Sequence, residues 1–138
     1  MLVDDLGDGL AGQRAACPVP ADVAVALSSP GRTIEGLVRA AQTTDADWGP
    51  LTAMNLPALR TSVREMAEAL GRVAGSAAAN LLDWTPDPAI IRVVSTWPGA
   101  IAATRARALG LLPDSSFEAI IRDYIRENPD AIRLPVQP

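Results

Sequence analysis

Two stretches of this chain carry helix signals from first residue to last, and they commit it to a fold dominated by helices. Ser62 and Glu65 stand at the spacing of a capping box, in which each side chain satisfies an orphan backbone N–H at a helix start. Behind them Val63, Met66, Leu70 and Val73 line one side of a helix, and Gly75 offers a residue able to take a left-handed stop. Ser115 and Glu118 repeat the box spacing. There Phe117, Ile120, Ile121, Tyr124 and Ile125 form a wide apolar face ending before Asn128-Pro129.

Shorter elements are read between these anchors. Residues 1–20, rich in Gly, Asp and Pro, carry no helical period and read as an irregular lead-in. Val23-Ala-Val-Ala-Leu27, part β-branched and bounded by Pro20 and Ser-Ser-Pro-Gly, predicts a buried strand. From Thr33 to about Thr43 the period is helical, with Ile34, Leu37, Val38 and Ala41 expected to face the core and Glu35 and Arg39 to pair outward. Leu51 to Leu56 predicts a second strand, and Leu82-Asp83-Trp84 a short third. Asp87 caps a helix with Pro88 in its first position and Ile90, Ile91 and Val94 facing inward; Ile101 to Leu109 reads as another, ended by Gly110. The expected fold class is α+β, mostly helical, with about five helices and two or three short strands. It occupies residues 21–128, with 129–138 as a C-terminal tail.

Composition limits size and chemistry. Of 67 residues in the hydrophobic class, 25 are alanine, leaving 42 larger apolar side chains. A chain of 138 residues buries roughly 68% of its unfolded surface on folding, which supports one domain and leaves no room for two. All 12 basic residues are arginine, and histidine is absent. Ser-His-Asp triads, histidine metal sites, lysine Schiff bases and a P-loop lysine are therefore excluded. With net charge −4 and scattered arginines there is no electrostatic footprint for nucleic acid. A single cysteine and an N-terminus of Met-Leu-Val-Asp-Asp-Leu, acidic where a secretory signal is basic, predict a cytoplasmic protein; no apolar run is long enough to span a membrane.

Several motifs invite chemistry. Gly7-Asp-Gly9-Leu-Ala-Gly12 has the letters of a dinucleotide fingerprint but lacks the preceding strand and following helix that give those glycines their purpose. Asp4, Asp5 and Asp8 fail as a calcium loop, since Ala15 stands where a bidentate glutamate is needed, and no metal site is expected. Cys17 lacks a helix N-terminus or close basic neighbour to lower its thiol pKa, which favours a packed structural cysteine. Asp83 and Asp87 flank Trp84 as paired acids, although capping already explains Asp87. Arg105 shares a helix face with Ile101 and Leu109, so it should be partly buried and seek an anion, either a ligand or an acid such as Asp114 or Glu118.

The ordered segments together resemble the C-terminal substrate-binding half of the extended short-chain dehydrogenase/reductases, the NAD-dependent epimerase/dehydratase family. The resemblance rests on Cys17-Pro-Val19, Ser29-Pro30 with Thr33 to Ala40, Asn55-Leu-Pro57, Ser62 to Leu70 with Gly75, Asp87-Pro88, Trp97-Pro-Gly99, Thr104-Arg-Ala106 with Leu109-Gly110, and Phe117 to Tyr124. Ala58, Leu111 and the extension to Pro138 depart from it. It implies a helical lobe that closes over substrate on a Rossmann domain. That domain, with its glycine fingerprint and catalytic serine, tyrosine and lysine, would precede residue 1. Tyr124 has Asn128 where the family's catalytic tyrosine has a lysine, so no catalytic residue carries over. The family's contacts imply the segment around Cys17 and the loops beside Ser29 and Trp97; with the partly buried Arg105, the substrate-binding candidates are Cys17, Ser29, Arg32, Trp97 and Arg105.

The functional expectation is a substrate lobe, inactive alone and binding no cofactor alone, with NAD(P) implied for the full-length family. Its partners would be a Rossmann-domain chain or a second copy, and a small sugar acid or hydroxy acid. The alternative is a non-catalytic interaction or oligomerisation module derived from the lobe. A stand-alone carrier of a small hydroxy acid is a third reading. In the first two, an apolar strip is left uncovered on the chain's surface.

Overall fold

The computed structural model describes residues 10–134. Along them run β1 (Ala15–Cys17), β2 (Ala24–Leu27), α1 (Pro30–Gln42), α2 (Asp45–Trp48), β3 (Leu59–Ser62), α3 (Val63–Ala79), β4 (Leu82–Trp84), α4 (Pro88–Val94), α5 (Thr104–Ala108), α6 (Phe117–Glu127) and a 3-10 turn, Pro129–Ala131. The α+β, mostly helical class is as expected, with six α-helices and four short strands among the described residues.

α3 is the central element, and its boundaries are local chemistry. The Ser62 hydroxyl accepts from the Glu65 N–H, and the Glu65 carboxylate accepts from the Ser62 N–H at 2.7 Å. That Ser62 N–H, with the Ser62 and Thr61 hydroxyls, holds the Glu65 carboxyl below the usual carboxylate range. The box is thus complete at neutral pH and fades only as pH falls through that lowered value. At Gly75 the backbone takes φ 81° and ψ 165°, a region closed to side chains, and the helix is interrupted before a last turn through Ala79.

The stripe on α3 packs against α6: Met66, Leu70, Val73, Phe117 and Ile121 are buried together with Leu10. Flanking this seam are two separate two-stranded sheets, β2–β3 antiparallel (Ala24 opposite Ser62) and β1–β4 parallel (Cys17 opposite Trp84). A second cluster holds Cys17, Val19, Val63 and Val94, and a third holds Ala103, Ala106 and Leu111 with Met54 and Leu56 against it.

Several expectations change. Residues 51–56 form no strand; the strand is β3, because β2 offers its edge to residues 59–62. Ala15–Cys17, inside the lead-in, is a strand because β4 pairs with it. α1 begins at Pro30, since Ser29 accepts from the Arg32 N–H as the cap. α5 is shorter than Ile101–Leu109: no side chain caps it at Ala103, and Gly110 at φ 85° follows it. Ser116, not Ser115, caps α6, accepting from the Ala119 N–H at 3.1 Å; the burial of Phe117 sets the start, and Glu118 turns to Arg72 instead of closing a box. Glu35 pairs with Arg32 at 2.7 Å, not with Arg39.

The largest difference lies on α1. Its apolar stripe faces outward, with Ile34 59%, Leu37 66% and Val38 49% exposed, while Gly36 is the residue buried. A Cβ on Gly36 would lie 2.6 Å from the Leu56 side chain, so the glycine is what lets α1 sit on Leu56. At roughly 100° per residue, Gly36 is about 150° around the helix from the centre of the stripe. α1 is therefore held by its back, and among the described residues no other helix or strand packs extensively on it.

Candidate functional site

The first turn of α1 is fixed by a buried carboxylate. Ser29 donates its N–H to Asp114 Oδ2 at 2.9 Å and its hydroxyl to Oδ1 at 2.7 Å, and both residues are buried. Thr33 donates its hydroxyl back to the Ser29 carbonyl. Beside this lock a polar hollow of about 250 Å³ is lined by Ser29, Arg32, Glu35, Asp114, Ser115 and Asp123. Its hydrogen bond to Glu35, then the charges of Glu35, Asp114 and Asp123, raise the pKa of Arg32 and keep it cationic. Glu35 is thus paired with Arg32, and Asp123 with Arg126 at 2.7 Å. An apolar groove of about 120 Å³ adjoins it, lined by Leu10, Pro30, Phe117, Ile120, Ile121 and Tyr124.

The five candidate residues do not converge on one point. Ser29 and Arg32 share the hollow. Cys17 is buried beside Val19, Val63 and Val94, as a packed structural cysteine would be. Trp97 is exposed three residues beyond Val94, its backbone N–H donated to the Val94 carbonyl. Arg105 lies elsewhere, and among the described residues it meets no acid. Its guanidinium donates to the carbonyls of Ala53 (2.9 Å), Leu51 (2.9 Å) and Trp48, while Asp114 is taken by Ser29 and Glu118 by Arg72. The expected acid partner is replaced because the 48–53 loop turns three carbonyls toward the arginine.

The paired acids beside Trp84 also separate. Asp83 binds the fork of Arg14, with Nε at 2.9 Å, and this hydrogen bond holds its carboxyl below the usual range. Asp87 caps α4, accepting from the Ala89 N–H at 2.7 Å. No group of three or more Cys, Asp or Glu that could hold a metal occurs among the described residues. Gly7 and Gly9 of the glycine-rich run, with Asp4, Asp5 and Asp8, lie outside the described residues. Gly12, at φ 75°, leads into β1 and not into a helix, so the pyrophosphate geometry of a nicotinamide cofactor is not matched there. The sequence offers Asp114 only as an acid for Arg105, and it does not mark Gly49 as part of a site. Gly49 sits between Trp48 and Pro50, a turn signal, but Asp114 gave no local sign of its partner.

No protein-family model matches the chain. It is 37% identical over 118 residues to D-erythronate dehydrogenase of Cupriavidus necator, covering 86% of this chain and 36% of that protein. It is 32% identical to D-erythronate dehydrogenase of Haemophilus influenzae, over 84% of this chain and 37% of that protein. The crystal structure of the nucleoside-diphosphate-sugar epimerase from Agrobacterium tumefaciens superposes with a TM-score of 0.88 at 32% identity, over 94% of this chain and 38% of that one. The chain thus matches the C-terminal part of these proteins and spans little more than a third of their length. No helix among the described residues is long and apolar enough to cross a membrane.

Proposed function

We propose that this chain is the substrate-binding lobe of a cytoplasmic NAD-dependent oxidoreductase resembling D-erythronate dehydrogenase, working with a nucleotide-binding portion that holds the cofactor. The observation that carries this is the outward stripe of α1. A helix whose apolar side is left in water, and whose opposite side is built to hold it there, is one layer of a larger packing. The relatives contain nearly twice as much additional chain to supply the other layer. Arg32, half-exposed in the polar hollow, meets the carboxylate of a small sugar acid or hydroxy acid in this reading, and Trp97 stands apart from it. Cys17 and Ser29 shape the lobe behind them.

Mixing the chain with the N-terminal remainder of the Cupriavidus necator protein tests the proposal. We expect capture with a dissociation constant in the micromolar range or tighter, lost at least tenfold on Leu37→Asp. By calorimetry the chain alone should bind neither NAD nor NADP. Saturable micromolar binding of either cofactor by the lone chain would overturn the assignment. Self-association that Leu37→Asp abolishes, with no capture of the remainder, would make the stripe an oligomerisation surface instead.

A further inference from the structure

The polar hollow at the start of α1 and the apolar groove beside it form one cleft, for they share Ser29, Gly31 and Asp123 as lining. At Gly31 no side chain parts them. A Cβ placed there would meet nothing nearer than the Ser29 hydroxyl, at 3.9 Å. α6 supplies the other wall with two neighbouring rows of its surface. Ala119 and Asp123 line the hollow, while Ile120 and Tyr124, one residue further round, line the groove. The cleft therefore changes from charged, where Arg32 stands, to apolar.

The groove has the size and the lining of a site for hydrocarbon. Its volume is about 120 Å³, and since a cavity of about 150 Å³ between apolar side chains takes up benzene, it has room for about four or five carbon atoms. Hydroxyl groups find few partners there. The Ser29 hydroxyl is committed, donating to Asp114 and accepting from the Arg32 N–H, Asp123 is bound to Arg126, and Glu127 is exposed to water. A sugar hydroxyl carried into the groove would give up water for little in exchange, whereas a hydrocarbon group gains by leaving water. Resting on the reading of Arg32 above, we infer that the acid taken by this lobe is a hydroxy acid with an apolar far end and not a fully hydroxylated sugar acid. Arg32 meets its carboxylate, the groove takes its hydrocarbon, and Ile120 and Tyr124 set the specificity.

The test is calorimetry of the full chain, alone and mixed with the Cupriavidus necator remainder, against 2-hydroxyisocaproate and D-erythronate. These two acids have the same number of non-hydrogen atoms and both carry a hydroxyl beside the carboxylate, but only the first ends in a branched aliphatic group. We expect 2-hydroxyisocaproate to bind at least tenfold more tightly. Tyr124→Ser, at an exposed position that leaves the core untouched, and Ile120→Ala should each reduce that preference to threefold or less, and Arg32→Gln should weaken both acids alike by at least fivefold. D-erythronate bound as tightly or more so, still dependent on Arg32, would overturn the inference and leave the acid contact intact. A preference for 2-hydroxyisocaproate that survives both groove variants would overturn it as well, since the apolar end would then lie elsewhere. Binding of neither acid, with or without the remainder, would overturn the inference and the Arg32 contact together, while capture of the remainder reports on the docking reading separately.

Discussion

Leu70→Ala is expected to lower stability by about 2–5 kcal/mol, the range for truncating a fully buried leucine whose cavity cannot collapse. Leu70 has no exposed surface and sits in the seam between α3 and α6. Whole domains are stable by only about 5–15 kcal/mol, so this one change removes a large share. Leu37→Ala removes the same atoms from α1, where the side chain is 66% exposed, and in the isolated chain should cost at most about 0.5 kcal/mol. Urea denaturation of both variants checks the contrast. A Leu37→Ala loss comparable to that of Leu70→Ala would mean that the stripe is already covered in solution, by a second copy or otherwise.

Asp114→Ala should have the second largest effect, about 1.5–3 kcal/mol, because it removes a charged acceptor from two buried donors on Ser29. The consequence should be local before it is global. α1 is tied to the lobe mainly by this lock and by Leu56 beneath Gly36, so its amides should exchange faster than those of α3 and α6. Asp114→Asn keeps an acceptor of the same shape and should lose less. Hydrogen exchange that accelerates equally over α1, α3 and α6 would show that the lock supports the whole core and not the placement of one helix.

The resemblance read from spaced motifs such as Cys17-Pro-Val19 and Trp97-Pro-Gly99 led to the proteins that the comparisons found, and the α+β class was legible too. The site was much less so. Its apolar helix neighbours mark Arg105 as a partly buried cation, but its partners are carbonyls, which every residue carries and no sequence pattern marks. Asp114, an acid the sequence offers to Arg105, belongs instead to Ser29, far away along the chain.

What the sequence determined by itself is whatever is settled within a few residues: the capping box at Ser62, the Asp87-Pro88 start, the glycine stops at Gly75 and Gly110, and the α3 stripe that became the core. Each of these is a backbone donor or dihedral satisfied by a near neighbour, so the residues name their own geometry. Only the tertiary structure decided which side of α1 is covered, why residues 59–62 and not 51–56 pair with β2, and that Ala15–Cys17 is a strand at all. A hydrophobic period shows that a helix has an apolar side without showing what meets it. A strand exists only where a second one offers its edge, and both are decided by segments distant in the chain.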